Sequence, residues 1–211
     1  MSLADCHLYT FVDTAYLHGR NPAHLAGQLC DGGSDIIQLR AKRETRDEVR
    51  RLAELILPVT RAAGVPLVLN DYADLAQELG AECVHLGQED FFDAGLTHRL
   101  QLSALHSPQL LGLSSHAPDQ GARAVAAGAD YIAVGPVFAT GTKPGRAPCT
   151  LDYVRWAAAN VSVPWFAIGG ITLENLDEVL KAGARRICVV SAILNAPNVA
   201  AACQEFRRRL K

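Results

Sequence analysis

Apolar residues along this chain gather in eight short runs rich in β-branched and aromatic side chains, at 7–12, 35–39, 66–70, 83–86, 110–114, 130–134, 164–168 and 186–191. Stretches of helical period lie between them: Val49, Leu52, Ala53, Leu55 and Ile56, then Leu75, Ala76 and Leu79, then Leu173, Leu176, Val179 and Leu180. Several of these stretches end on the same punctuation, at Gly64, Gly80, Gly128 and Gly183, where glycine can take the left-handed conformation that stops a helix before the next strand. The repeating unit is helix, glycine turn, strand, loop. Eight such units without a linker, a low-complexity tract or a shift in composition predict one α/β domain over residues 1–211, folded as a closed (β/α)8 TIM barrel. An open flavodoxin-like sheet needs only about five strands.

Chemistry in such a barrel sits in the loops after the C-terminal strand ends. The second strand runs out into Gln38-Leu39-Arg40-Ala41-Lys42, the third into Asn70-Asp71, the fourth into Gln88-Glu89-Asp90 and the fifth into Ser114-Ser115-His116. The sixth opens a long loop containing Thr140-Gly141-Thr142-Lys143, the seventh ends in Gly169-Gly170-Ile171, and the eighth in Val190-Ser191-Ala192. The opposite ends carry turn residues such as Gly64, Pro66, Gly80, Gly128 and Asp130. Polar and glycine-rich sequence is thus concentrated on one face.

The spacing Gln38-x-Arg40-x-Lys42 puts three polar groups on one side of an extended strand end. A guanidinium fork and an ammonium together suit a diphosphate, although both could instead pair with acidic neighbours. Asp71 precedes a helical stretch and, with Asp74, resembles an N-capping arrangement. Asp90 stands at the equivalent place one strand later, and magnesium takes one or two carboxylates together with waters and phosphate oxygens, so Asp71 and Asp90 form a candidate Mg²⁺ site. Glu89 is a competing ligand. The loop from Thr140 to Arg146 has two hydroxyls and two cations but not P-loop spacing. With the glycines after the seventh strand and Val190-Ser191 after the eighth, it predicts a second, separate phosphate pocket. His116 is a candidate acid or base, or a rim residue; His85, inside a strand, reads as a packing residue.

Composition narrows the partners. With 49% hydrophobic residues in 211, the chain can bury one sizeable core, and a formal charge of −2 offers no broad attraction for nucleic acid or an anionic membrane. Any anion must be bound locally. The six cysteines, at 6, 30, 83, 149, 188 and 203, are scattered without a C-x-x-C pair, as expected for reduced, structural thiols in a cytoplasmic protein. No secretion signal is evident, and no stretch approaches the roughly 18 consecutive apolar residues of a membrane span. Oligomeric state, a homo-oligomer included, is left open.

With these residues assembled, the chain resembles the thiamine phosphate synthase family over nearly its whole length. The segments that carry the resemblance are QLRAK (38–42), LND (69–71), VHLGQED (84–90), GLSSH (112–116), DYIAVGPVFATGTK (130–143), FAIGGI (166–171) and VVSAI (189–193). The resemblance implies an Mg²⁺-assisted transferase that joins 4-amino-2-methyl-5-(diphosphooxymethyl)pyrimidine to 4-methyl-5-(2-phosphooxyethyl)thiazole. Its dissociative chemistry sends diphosphate away first, and the thiazole nitrogen captures the resulting pyrimidinylmethyl cation. By the same resemblance Gln38, Leu39, Arg40, Ala41, Lys42, Asn70, Ser114 and Lys143 hold the pyrimidine diphosphate. Arg40, Lys42, Lys143 and Ser114 are the catalytic group, Asp71 and Asp90 bind the metal, and Thr140, Gly141, Thr142, Gly170, Val190 and Ser191 enclose the thiazole phosphate. Cys83 and Tyr72 depart from the family pattern, where glycine and arginine are common, and Phe91 to Leu111 is diverged.

Two other readings use parts of the same pattern. A thiazole tautomerase would share the barrel and thiazole pocket and use His116 as its acid or base, but has no evident need for Asp71, Asp90 and Lys143 together. A non-catalytic sensor of phosphate ligands could keep the thiazole pocket while losing the metal carboxylates.

Overall fold

The computed structural model describes residues 3–102, 109–141 and 147–210. Eight parallel strands close on themselves in chain order: β1 (Leu8–Asp13), β2 (Ile36–Arg40), β3 (Leu67–Asn70), β4 (Cys83–Leu86), β5 (Leu110–Ser115), β6 (Tyr131–Val134), β7 (Trp165–Ile168) and β8 (Ile187–Cys188). The seam is sealed where Leu8 and Tyr9 of β1 stand opposite Ile187 and Cys188 of β8. Every predicted run is a strand. The eighth is much shorter than expected, because the backbone leaves the ladder at Val190 and turns directly into a helix from Ser191.

The outer layer comprises α1 (Pro22–Asp31), α2 (Arg46–Ala62), α3 (Ala73–Leu79), α4 (Gln88–Phe91), α5 (Pro118–Ala126), α6 (Thr150–Asn160), α7 (Leu176–Lys181), α8 (Ser191–Leu194) and α9 (Val199–Arg209). The longest, α2, begins at a capping box, in which Thr45 accepts from the Glu48 amide and the Glu48 carboxylate accepts from the Thr45 amide. Its buried face, Val49, Ala53, Ile56 and Leu57, follows the helical period and packs on the barrel. The four glycines that close predicted helices, Gly64, Gly80, Gly128 and Gly183, have φ of 68°, 69°, 85° and 106°.

The end away from the glycine-rich loops is tied by a repeated device. Asp35, just before β2, accepts from the amides of His7 and Leu8 at the start of β1 (2.7 and 2.9 Å). Glu82, before β4, accepts from Leu67 at the start of β3 (2.9 Å), and Asp130, before β6, accepts from Leu111 in β5 (2.7 Å). Each carboxylate satisfies a strand amide that the parallel ladder leaves over, and anchors one strand to the start of the next.

Inside the barrel, side chains alternate between the interior and the helix layer. Tyr9, Tyr131 and Phe166 meet at the centre with ring centroids 5.3 to 6.0 Å apart and edge-on geometry. Gly112 stands between them and β4: a Cβ there would lie 2.1 Å from the Tyr131 ring. Gly112→Ala is therefore expected to lower stability by about 1–3 kcal/mol through overpacking, read as a lower urea midpoint at unchanged m-value.

Candidate active site

The C-terminal strand ends surround a cavity of about 440 Å³. From β2 to the loop after β4 it is lined by Gln38, Arg40, Lys42, Asn70, Asp71 and Asp90, with Ser114 from β5. From the other half come Thr140, Gly170, Val190 and Ser191. The side-chain period of two sorts the segment after β2: Gln38, Arg40 and Lys42 face the cavity, while Leu39 and Ala41 alternate away and do not line it. Gly141 is not among the lining residues either. Thr142 and Lys143 lie outside the described residues. Glu89 and His116 also reach the wall; the imidazole of His116 contacts the Gly135 carbonyl through Nδ1, and its amide donates to Gln120.

Both cations of the Gln-x-Arg-x-Lys segment are held by carboxylates. Arg40 donates to Asp13 Oδ2 (2.8 Å), which is 1% exposed at the end of β1. Asp13, which does not line the cavity but holds Arg40, has one signal in the sequence, an acidic residue closing the apolar run of β1 in register with Arg40. Lys42 Nζ lies 2.7 Å from Asp71 Oδ2 and 3.9 Å from Asp90 Oδ2, so its ammonium stands between the two carboxylates.

Asp71 does not cap the following helix, contrary to the capping alternative. Tyr72 occupies the N-cap of α3 without a side-chain hydrogen bond, and Asp74 pairs with Arg46 (2.7 Å). Asp71 instead has φ of 72°, a left-handed conformation costly for a residue with a Cβ, and its amide donates to the His85 carbonyl (2.9 Å). Burial pushes its carboxyl pKa up; Lys42 opposes the shift and the nearby Asp90 adds to it. Asp71 Oδ1 and Asn70 Nδ2 are buried without a hydrogen-bond partner among the described residues. Such atoms cost free energy unless a ligand or ion satisfies them.

Along the floor of the cavity runs a chain of five polar side chains from five strands, of which Tyr9, Gln38, His85 and Ser114 line it. Gln38 Nε2 donates to the Tyr9 hydroxyl (2.6 Å), which is 3.1 Å from that of Tyr131. Tyr131 is 3.2 Å from His85 Nδ1, and His85 Nε2 is 2.9 Å from Ser114 Oγ. Burial drives the pKa of both phenols well above the usual value, so they stay protonated and act only through hydrogen bonds. The sequence pattern marks the two ends, Gln38 and Ser114, but His85 reads there as a packing residue, and Tyr9 and Tyr131 lie inside apolar strand runs.

The opposite wall is made of backbone. The Val137 and Phe138 amides donate to the Ile168 and Gly169 carbonyls (2.8 and 3.0 Å), joining the loops after β6 and β7. Gly170 has φ of 64°, and a Cβ there would meet the Ala139 carbonyl at 2.6 Å. Only glycine lets these loops approach so closely beside Val190 and Ser191.

A closed parallel barrel with cations and carboxylates at one side of its C-terminal mouth and a glycine cradle at the other belongs to the class of barrel enzymes that handle phosphate esters. Over residues 8–193 the chain matches the family model described as thiamine monophosphate synthase, and it belongs to that family. It is 49% identical over 187 residues to the thiamine-phosphate synthase of Thermus thermophilus, covering 85% of this chain and 84% of that one. Identity to the thiamine-phosphate synthase of Acidothermus cellulolyticus is 45% over 211 residues, with coverage of 99% and 97%. Among solved structures, thiamine phosphate pyrophosphorylase from Pyrococcus furiosus superposes with a TM-score of 0.83 at 28% identity, covering 97% of this chain and 95% of its own. No described helix is long and apolar enough to cross a membrane.

Asp13→Asn would leave the Arg40 guanidinium beside a neutral partner in a largely buried setting. A loss of about 3 kcal/mol is expected on breaking such a pair, measured by denaturant unfolding; a change below about 0.5 kcal/mol would count against a structural role for Asp13.

Proposed function

We propose that this chain joins 4-amino-2-methyl-5-(diphosphooxymethyl)pyrimidine to 4-methyl-5-(2-phosphooxyethyl)thiazole, releasing diphosphate and forming thiamine phosphate. The observation that carries this reading is a cavity with two dissimilar walls, one of cations, amides and carboxylates and one of hydroxyls and glycine backbone, in a chain that aligns with curated thiamine-phosphate synthases over nearly their full length. The pyrimidine diphosphate takes the wall of Gln38, Arg40, Lys42, Asn70 and Ser114; the thiazole phosphate takes that of Thr140, Gly170, Val190 and Ser191. The resemblance adds Lys143 and Thr142 to these groups.

The donor set fits Mg²⁺. Among the described residues no group of three or more His, Cys, Asp and Glu side chains could hold a metal by itself. Two carboxylates are what magnesium asks of a protein when phosphate oxygens and water complete the shell. The unpartnered Asp71 Oδ1 supports the assignment. Asp71 and Asp90 would hold the ion, which when bound neutralises charge on the departing diphosphate.

The protein's own contribution is mainly electrostatic. Arg40 and Lys42 meet the diphosphate oxygens as charge builds on them, and Asn70 Nδ2 donates to one of them. Gln38 and Ser114 hold the pyrimidine so that its methylene faces the thiazole nitrogen at near-attack distance. The C–O bond to diphosphate breaks, both electrons leave with the oxygen, and the nitrogen lone pair closes the new C–N bond. No protein group must take a proton in that step. The six scattered cysteines, without a C-x-x-C pair, support action in a reducing compartment such as the cytoplasm.

Incubation with both substrates, with and without Mg²⁺, followed by mass detection, is expected to yield thiamine phosphate only when the metal is present. Isomerisation of the thiazole without coupling would replace this reading with a tautomerase. Asp71→Ala and Asp90→Ala should each lower kcat/KM on the order of a hundredfold while leaving the KM for the thiazole phosphate nearly unchanged. Undiminished activity of both variants, or of the wild type in a chelator, would remove the metal assignment.

A further inference from the structure

We infer that Tyr9, Tyr131 and His85 are positioning residues that fix the direction of the hydrogens at Gln38 and Ser114, and thereby make the site select a 4-aminopyrimidine over its 4-oxo counterpart. The inference rests on the proposed reading that Gln38 and Ser114 meet the pyrimidine ring.

The direction follows from giving every buried proton an acceptor. Gln38 turns its amide nitrogen toward Tyr9, 2.6 Å away, and so occupies an acceptor position of that hydroxyl. The Tyr9 proton then goes to Tyr131, the other hydroxyl within reach at 3.1 Å. The Tyr131 proton in turn goes to His85 Nδ1, at 3.2 Å. An imidazole that accepts at Nδ1 carries its proton at Nε2, and that proton is donated to Ser114 Oγ, 2.9 Å away. Ser114 lines the cavity, and its own hydroxyl proton is left for the ligand.

The two ends therefore present opposite faces. Gln38 has its carbonyl Oε1 to offer as an acceptor, and Ser114 offers a donor. The edge of a 4-aminopyrimidine carries an N–H donor beside a ring-nitrogen acceptor, which matches. The 4-oxo analogue presents an acceptor beside an N–H donor, which opposes both ends. It could be accommodated only by turning the Gln38 amide over and reversing every bond to Ser114. The chain thus reads a donor–acceptor pair as one unit, through residues that do not themselves take part in bond breaking.

Tyr131→Phe cuts the chain while keeping the ring. Among the described residues the Tyr9 proton then has Gln38 Oε1 as its acceptor, which turns the amide nitrogen toward the ligand. The experiment pairs two readouts. In the wild-type protein labelled with ¹⁵N-histidine, long-range ¹H–¹⁵N correlation is expected to show His85 as the Nε2–H tautomer. In steady-state kinetics with the pyrimidine diphosphate and its 4-oxo analogue, Tyr131→Phe is expected to lower the amino-to-oxo ratio of kcat/KM on the order of tenfold, with the thiazole phosphate KM unchanged.

An Nδ1–H tautomer in an active wild type would overturn the direction of the chain while leaving the synthase reading intact. An unchanged ratio in a folded Tyr131→Phe protein would overturn the positioning role. Absence of thiamine phosphate from the wild type would overturn the synthase reading and the selectivity with it.

Discussion

Two phenol hydroxyls sealed in the middle of a barrel must find hydrogen-bond partners, and much of this molecule follows from that requirement. The rings of Tyr9 and Tyr131 fill the barrel beside Phe166 and supply its apolar packing. Their oxygens are buried and stay protonated, so each would be costly without a partner. The partners found are each other, Gln38 and His85, and through His85 the hydroxyl of Ser114. The packing of the core and the layout of the cavity floor are therefore one problem with one solution. Gly112 belongs to that solution because it vacates the space the Tyr131 ring occupies.

Charge is handled at the two barrel ends in different ways. At the closed end Asp35, Glu82 and Asp130 accept from strand amides and tie β1, β3 and β5 to the approaches of their neighbours. At the open end Asp13, Asp71 and Asp90 face Arg40 and Lys42. The first set satisfies strand amides while also pairing with Arg207, Arg61 and Arg99. The second leaves Asp71 Oδ1 and Asn70 Nδ2 without a hydrogen-bond partner among the described residues, a cost that a bound ligand or ion would relieve.

The barrel was legible because its signals are local and repeated. Strand runs, helical periods and helix-stopping glycines each lie within a few residues, and the eight units agree with one another. The strand-end polar groups were legible too, since alternation alone puts Gln38, Arg40 and Lys42 on one side and sends Leu39 and Ala41 to the other. What escaped depended on partners distant in the chain. Tyr131 stands 122 residues from Tyr9, and inside an apolar run neither announces a polar role. Asp13 reads as the end of a strand until Arg40 is set beside it. That Asp71 stands before the N-cap, with Tyr72 in that place and its own φ at 72°, is something no spacing rule reveals. The eighth strand was overestimated because Val189 and Val190 are strand-like in composition yet are spent on the turn into α8.

That early turn has a cost and a use. With only Ile187 and Cys188 assigned to β8, the seam is the thinnest part of the barrel wall, although the ladder reaches one residue further through the Val189 amide, which donates to the Tyr9 carbonyl. The next two residues, Val190 and Ser191, line the cavity. The same few peptide units thus close the cylinder and form part of its binding surface. Changes there cannot adjust ligand affinity without also adjusting how firmly the barrel holds shut. Activity and robustness are bound together at this point, and more readily separated at Lys42, whose half-exposed side chain can change without opening the ring of strands.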